Sequence, residues 1–356
     1  MSLITADTIH IVGAGPAGLS AAIAVARAGR HAVVFERRED VGTRFHGDYQ
    51  GLENWTTRGD VLEEFGELGI EADFDYAPFR ELVLFDPRGH EHLCRAARPL
   101  FYLVRRGSAP GTLDASLKVQ AQMRGVEICF GRTPPPSAPG GVMSNGPRQS
   151  NIIAVGYVFE TEAADGVYAV VSDRYAPKGY AYLLVHGGMG TLAVCMFSGF
   201  GQREQCLERT LHFFRERVGF SMTNSRRFGG LGYFGVPATA VHDRWLLAGE
   251  AAGFQDALFG FGIRKAVVSG ALAGRAWGQG RPEDYDRLWQ QRLGGLLRAS
   301  VVNRALYALF GHLGYHWLAR RVSGVDDSRE WLRRFYRPSI AKDMFYPLSR
   351  RFVRAV

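Results

Sequence analysis

The chain has 356 residues, with 43 Lys and Arg against 35 Asp and Glu, a formal charge of +8. Apolar residues make up 46% and charged residues 22%, which excludes an intrinsically disordered chain and gives two or three structural units material for real cores. Only four of the basic residues are Lys. The Arg surplus fits phosphate, nucleic acid or a genomic base bias equally, so charge alone names no partner.

Cys94, Cys129, Cys195 and Cys206 show no Cys-x-x-Cys spacing and no accompanying His run. Neither a disulfide framework nor a metal site is expected, and a reducing compartment fits. No signal-peptide pattern and no apolar run of about 18 residues is present, so the expected location is the cytoplasm.

In chain order, Thr8–Val12 reads as a strand, Pro16–Ala28 as an Ala-rich helix and His31–Phe35 as a second strand. Between the first two lies Gly13-Ala14-Gly15-Pro16-Ala17-Gly18, and Glu36 closes the second strand. In such a turn Gly13 permits the tight bend and Gly15 lets backbone amides approach a pyrophosphate. Gly18 brings helix close to strand. The helix N-terminus offers unpaired N–H groups and the positive end of its dipole. Glu36, 18 residues beyond Gly18, can accept hydrogen bonds from ribose hydroxyls, and an acid there favours FAD or NAD over NADP.

Glu81–Leu84 reads as a strand, Gly111–Met123 as a helix and Val126–Phe130 as a strand. The Pro-, Gly- and Ser-rich segment Arg132–Pro147 reads as loop or edge. Alternation over Ile152–Thr161, Tyr168–Asp173, Ala181–His186 and Thr191–Phe197 predicts an antiparallel sheet, followed by a helix over Leu207–Val218. A glycine block at Gly229–Gly232 and a strand at Trp245–Ala248 precede GEAAGFQDALFGFGIRKAVVSGALAG, residues 249–274. That segment reads as a strand end, an acidic turn and a small-residue helix starting near Gly260–Gly262. Glu250, at the end of its strand, can bond a sugar or ribityl hydroxyl.

Gly13–Gly18 with Glu36, together with the Gly249–Gly253 motif, resembles the p-hydroxybenzoate hydroxylase-like FAD superfamily. Within it the chain is most similar to the geranylgeranyl reductase-like branch. The match runs through Gly249, Ala251, Ala252, Gly253, Phe254, Gly260, Gly262, Ile263, Ala266, Ser269 and Gly270, and through Pro177-Lys178-Gly179-Tyr180-Ala181-Tyr182. The resemblance implies an α/β fold: a Rossmann-type (GR2-like) FAD-binding domain, an inserted antiparallel-sheet substrate domain and a C-terminal helical region. Residues 1–75, 98–150 and 236–285 would form the first, 76–97 and 151–235 the second, and 286–356 the third. The implied cofactor is FAD. Its binding set would be Gly13, Gly15, Pro16, Ala17, Gly18, Glu36, Arg37, Arg44, Arg106, Gly249, Glu250, Gly260, Gly262 and Ile263, with Arg106 touching the flavin nucleotide.

Four departures from the branch stand out. Glu250 replaces an Asp, and Ala257 replaces a Pro at the flavin-facing turn. Tyr182-Leu183-Leu184-Val185 replaces an aromatic-Phe-Pro end. VMSNGPRQS (142–150) lacks the Asp-Gly motif of flavin hydroxylases.

The candidate chemistry lies beside the implied flavin. Arg44-Phe45-His46-Gly47-Asp48-Tyr49 brings a cation, an imidazole and a carboxylate together. His46 can deliver a proton, tuned by Asp48 or Tyr49; the same residues also read as a surface loop whose polar groups satisfy one another. Tyr180 and Tyr182 share one strand face and suit an aromatic pocket wall or sheet packing. Lys178 reads as an exposed loop residue or a contact for an anionic substrate group. His90 and His92 read as part of a turn and not as metal ligands.

Val301, Val302, Ala305, Leu306, Leu309, Phe310, Leu313, Trp317 and Leu318 follow helical spacing, with Arg298 and Arg304 off the stripe. Arg320-Arg321, Arg333-Arg334, Arg337, Arg350-Arg351 and Arg354 then mix with aromatic residues. This region suits either a peripheral contact on the inner face of the membrane or a helical cap with a solvated Arg face. Nucleic acid is set aside, because no binding module accompanies the charge.

The expected activity is an FAD-dependent oxidoreductase. It would reduce a C=C bond of a small hydrophobic, isoprenoid or lipid-like, substrate by hydride transfer from reduced flavin. A flavin monooxygenase and an electron-transfer flavoprotein partner are the alternatives. The electron donor stays open between NAD(P)H and a protein reductant.

Overall fold

The computed structural model describes residues 8–135, 138–147 and 149–355; Arg148 and the side chain of Arg354 lie outside the described set. Three sheets organise the chain. The first runs in the order 241–242, 245–247, 141–143, 9–12, 32–36 and 127–130. All its neighbours are parallel except the short hairpin at 241–247. A parallel sheet must be covered on both faces, which explains why Ile9, Ile11, Val33 and Val34 all lie buried.

The segment expected as loop or edge, 132–147, contains a central strand of this sheet, Gly141–Met143, lying between 9–12 and 245–247. Its composition hid it. Gly140 and Gly141 adopt φ of +139° and +152°, and a Cβ on Gly141 would sit 1.8 Å from the His10 carbonyl oxygen. Glycine here marks close strand approach, not a turn.

Two helices beside this sheet pack against each other through a glycine seam. Pro16–Arg27 presents Ala17 and Ala21, and Ile263–Gly278 presents Gly270 and Gly274. A Cβ on Gly270 would meet the Ala17 oxygen at 2.0 Å, and one on Gly274 the Ala21 oxygen at 2.2 Å.

The second sheet has seven strands, in the order 223–232, 152–160, 189–196, 180–186, 166–170, 81–85 and 91–95. It is antiparallel except where 166–170 meets 81–85. The glycine block at 229–232 is the end of its edge strand. A third, three-stranded antiparallel sheet runs in the order 49–53, 101–105 and 76–79.

The apolar stripe expected along the C-terminal helix is divided in the structure. Helix Gly295–Ser323 is broken at Gly311, with φ 50° and ψ −132°. Val301, Val302, Ala305 and Leu318 are buried, whereas Leu306, Leu309, Phe310, Leu313 and Trp317 are between 43% and 78% exposed. At 100° per residue the string was too wide for one buried face, and the break re-aims its second half. Arg304, expected off the stripe, is 2% exposed. Helices Ser328–Tyr336 and Ile340–Ala355 complete the region.

Candidate functional site: a dinucleotide-type cleft joined to an apolar cavity

The first strand ends at Val12, and Gly13 turns the chain with φ +97°. A Cβ there would lie 2.7 Å from the Ser144 oxygen. Pro16 occupies the first helical turn, where its missing N–H costs nothing. Around Gly15, by contrast, an added Cβ would meet nothing within 4 Å, so its backbone borders open space at a helix N-terminus. Gly18 is the opposite case: its Cβ would lie 1.9 Å from the Gly13 oxygen.

Glu36 closes the turn. Its Oε2 accepts from the Ala14 N–H at 2.8 Å and its Oε1 from the Arg38 N–H at 3.0 Å. Each oxygen keeps a second lone pair. Arg37 is exposed beside it.

Across the cleft, Gly249 (φ +60°) donates its N–H to Ser269 Oγ at 2.9 Å and lies over Ala17. Gly260 turns with φ +77°, and Gly262 caps the helix that begins at Ile263. A buried charge network fixes this helix start. Arg264 donates to Glu64 at 2.5 Å and pairs with Glu53 at 3.3 Å, as does Lys265 at 3.3 Å. Burial pushes Glu53 up, but Lys265 and Arg264, with a hydrogen bond from Thr56, outweigh it and hold the carboxyl below its ordinary range. Sequence reading missed this network because its partners lie about two hundred residues apart; the Arg264-Lys265 pair at a helix start was the only local trace.

Arg44, Glu250, Gly260, Gly262 and Ile263 line one cavity of about 290 Å³ together with Tyr180, Tyr182, Trp55, Leu84, Leu318 and Val322. The cavity therefore draws on the cleft, both antiparallel sheets and the C-terminal helices. Burial raises the Glu250 carboxyl, opposed by Arg44 and Arg106. Tyr180 donates to the Phe259 carbonyl at 2.7 Å. Tyr182 also lines the cavity, and burial raises its hydroxyl pKa. Burial pushes the lining thiols Cys94 and Cys195 up to about 12, so both stay protonated at neutral pH.

Other expected residues lie elsewhere. His46 is exposed and is not part of the cavity wall. Asp48 is buried and accepts from the His46 backbone N–H and from Gln50 Nε2, each at 3.0 Å. Its carboxylate thus orders the loop through the backbone. Arg106 stands behind the cavity wall: it grips Asp114 with two bonds of 2.8 Å, donates to Gln50 at 2.9 Å and lies 4.2 Å from the Phe45 ring centroid. It positions Phe45 and Gln50, which do line the cavity.

Gln255 and Asp256 were missed by sequence reading. Gln255 lines the cavity and donates to the Gly260 oxygen at 2.8 Å. Asp256, buried behind the turn, accepts from Phe259 N–H at 2.7 Å and from Tyr336 at 3.1 Å. Their polar types inside the small-residue motif were the available signal. Ala257 is fully buried, and its N–H donates to Ser300 Oγ at 3.2 Å. His90 and His92 both reach Asp86 Oδ2 at 3.3 Å, where His316 joins them at 2.7 Å.

Residues 11–51 match the model of an NAD(P)-binding Rossmann-like domain. No curated protein matches the sequence. Among solved structures, the chain is similar to a geranylgeranyl bacteriochlorophyll reductase-like protein from Thermoplasma acidophilum. The TM-score is 0.74 at 16% identity, over 96% of this chain and 95% of that one. It is also similar to a flavin-dependent brominase, with a TM-score of 0.67 at 17% identity over 98% and 99% of the two chains. A p-nitrophenol 4-monooxygenase from Pseudomonas putida gives a TM-score of 0.56 at 16% identity over 98% and 96%. The chain has the fold shared by these proteins, with a Rossmann-like domain at its start and C-terminal helices at its end.

Proposed function

We propose that the chain binds FAD and is an oxidoreductase that reduces a C=C bond in a hydrophobic, isoprenoid- or lipid-like substrate. One observation carries this reading: residues of the dinucleotide-type cleft and a largely aliphatic and aromatic wall line a single cavity. The fit to the cofactor rests on the open space at Gly15, the free lone pairs of Glu36 and the helix starts at Pro16 and Ile263. When bound, FAD supplies the hydride chemistry.

The protein's own residues do the rest. Gly13, Gly15 and Gly18 with the helix N-terminus hold a pyrophosphate, and Glu36 accepts from ribose hydroxyls. Arg44 and Glu250 face the remainder of the cofactor across the cavity mouth. Trp55, Leu84, Leu318 and Val322 exclude water and take the apolar substrate. Tyr182 is the proton donor: it lines the cavity, whereas the Tyr180 hydroxyl is committed to the Phe259 carbonyl.

The test is to reduce the flavin-loaded protein without oxygen and add a polyprenyl alkene. Substrate-dependent reoxidation with a saturated product supports the reading. An oxygenated or halogenated product formed only in air overturns the reductase assignment, and a colourless protein that takes up no FAD overturns the cofactor.

Peripheral membrane contact belongs to the same proposal. Outside the cavity wall, the broken helix exposes Leu306, Leu309, Phe310, Leu313 and Trp317, and the last helix exposes Ile340, Met344, Phe345 and Leu348. Arg320, Arg321, Arg334 and Arg351 are exposed on the same helical region. Apolar residues flanked by Arg suit an anionic lipid surface, from which a lipid-like substrate would be drawn. No described helix is long and apolar enough to cross a membrane.

A further inference from the structure

A second cavity, of about 760 Å³, lies between the loop at 149–151, the segment at 197–200, the turn at 233–236 and the C-terminal helices. Among the described residues three cations line it, Lys178, Arg304 and Arg350, and no carboxylate does. Arg304 is 2% exposed. It donates to the Leu258 oxygen at 3.1 Å and to the Lys178 oxygen, and lies 4.1 Å from the Phe197 ring centroid. Among the described residues Arg304 has no ion-pair partner. A buried guanidinium held only by carbonyls and rings carries a desolvation cost that an anion would offset. Lys178 is partly compensated: it donates to the Ala308 oxygen at 3.2 Å and lies 3.7 Å from Asp173. Among the described residues the Arg350 side chain has no hydrogen-bond or ion-pair partner. Phe197, Phe234 and Tyr346 supply flat apolar walls.

We propose that this cavity is a second ligand site, separate from the FAD cleft, for a phosphate-bearing molecule with a planar ring, of the nucleotide class. Cations without carboxylates select the phosphate, and rings beside them take a stacked base. The site also touches the flavin-side turn. Arg304 holds Leu258, and a Cβ on Gly260 would lie 4.0 Å from Phe197. Occupancy therefore bears on the segment that borders the first cavity.

The test is calorimetric titration of the flavin-loaded full chain with ADP, inorganic pyrophosphate and adenosine. ADP is expected to bind without releasing flavin, more tightly than either fragment, and more weakly as salt rises. Arg350→Gln should weaken ADP by about tenfold or more, since a charge-assisted contact is lost. Lys178→Gln provides a second variant away from the helix end. Absence of ADP binding at millimolar concentration overturns the site, as does release of flavin by ADP. Unchanged affinity in both variants does the same. Pyrophosphate binding as tightly as ADP overturns the planar-ring requirement.

Discussion

The Tyr180 hydroxyl donates to the Phe259 carbonyl at 2.7 Å and so fastens the seven-stranded sheet to the turn that precedes Gly260. The neighbouring Tyr182 leans toward it, with ring centroids 5.9 Å apart. Removing each hydroxyl should therefore have a different effect. Tyr180→Phe leaves the part-buried Phe259 carbonyl without this donor and is expected to cost about 1 kcal/mol of stability. Tyr182→Phe should leave the unfolding midpoint nearly unchanged, while slowing substrate-dependent flavin reoxidation by about a hundredfold. Denaturant titration beside anaerobic stopped-flow separates the two. Equal turnover in the Tyr182→Phe variant would remove Tyr182 as proton donor.

The glycines of the first turn make a second contrast. Gly15 has φ −83° and ψ −180°, a conformation open to any residue, and it borders open space. Gly15→Val should therefore fold normally, yet lose FAD because its side chain fills the space left for pyrophosphate. Gly18→Ala would drive a methyl into the Gly13 carbonyl at 1.9 Å and should lower stability itself, by about 1–3 kcal/mol. Apo-protein melting with flavin absorbance checks both: a stable, fully yellow Gly15→Val variant would count against the cleft.

What was legible in the sequence follows from distance along the chain. The turn at Gly13–Gly18, the acid at Glu36 and the helix after Gly262 are local patterns, and each was readable from spacing. The antiparallel strands at 152–196 were readable because alternation needs one solvated or half-buried face. The strand Gly141–Met143 was not, because its glycines serve contact with His10 and Arg244 rather than turning the chain. Long-range polar pairs were equally hidden. Beyond the Arg264-Lys265 pair itself nothing near that helix start announces Glu53, and nothing near Arg106 announces that Gln50 shares its guanidinium. The exposed half of the C-terminal stripe escaped because Gly311 breaks a helix whose spacing looks continuous.

That exposed half gives a third prediction. Leu313 is 78% exposed and Leu309 64% exposed, so replacing both with Glu removes no core packing. The double variant should keep its unfolding midpoint within about 0.5 kcal/mol. It should lose most sedimentation with phosphatidylglycerol vesicles, while the parent chain binds these in preference to phosphatidylcholine vesicles and releases at high salt. Parent and variant failing to sediment alike would remove the membrane from the proposal.

The second half of that helix is tied down at one carboxylate, Asp86, which accepts from His316 at 2.7 Å and from the backbone N–H groups of Arg88 and His90 at 2.8 and 3.0 Å. Burial raises the Asp86 carboxyl, but the hydrogen bonds from His316, His90, Arg88 and His92 outweigh it and hold it well below the usual carboxylate range. A depressed folded pKa contributes stability above the unfolded value, about 3.9, and loses it as pH falls toward the folded value. Asp86→Asn should therefore cost about 2–3 kcal/mol at neutral pH. Parent and variant should converge as pH drops below about 4. Because Leu318 and Val322 on the same helical segment wall the first cavity, the variant should also bind apolar substrate more weakly at neutral pH. Urea titrations at several pH values, paired with substrate affinity, check both parts. A stability gap that stays constant down to about pH 3 would show that the loss comes from packing rather than from the charge on Asp86.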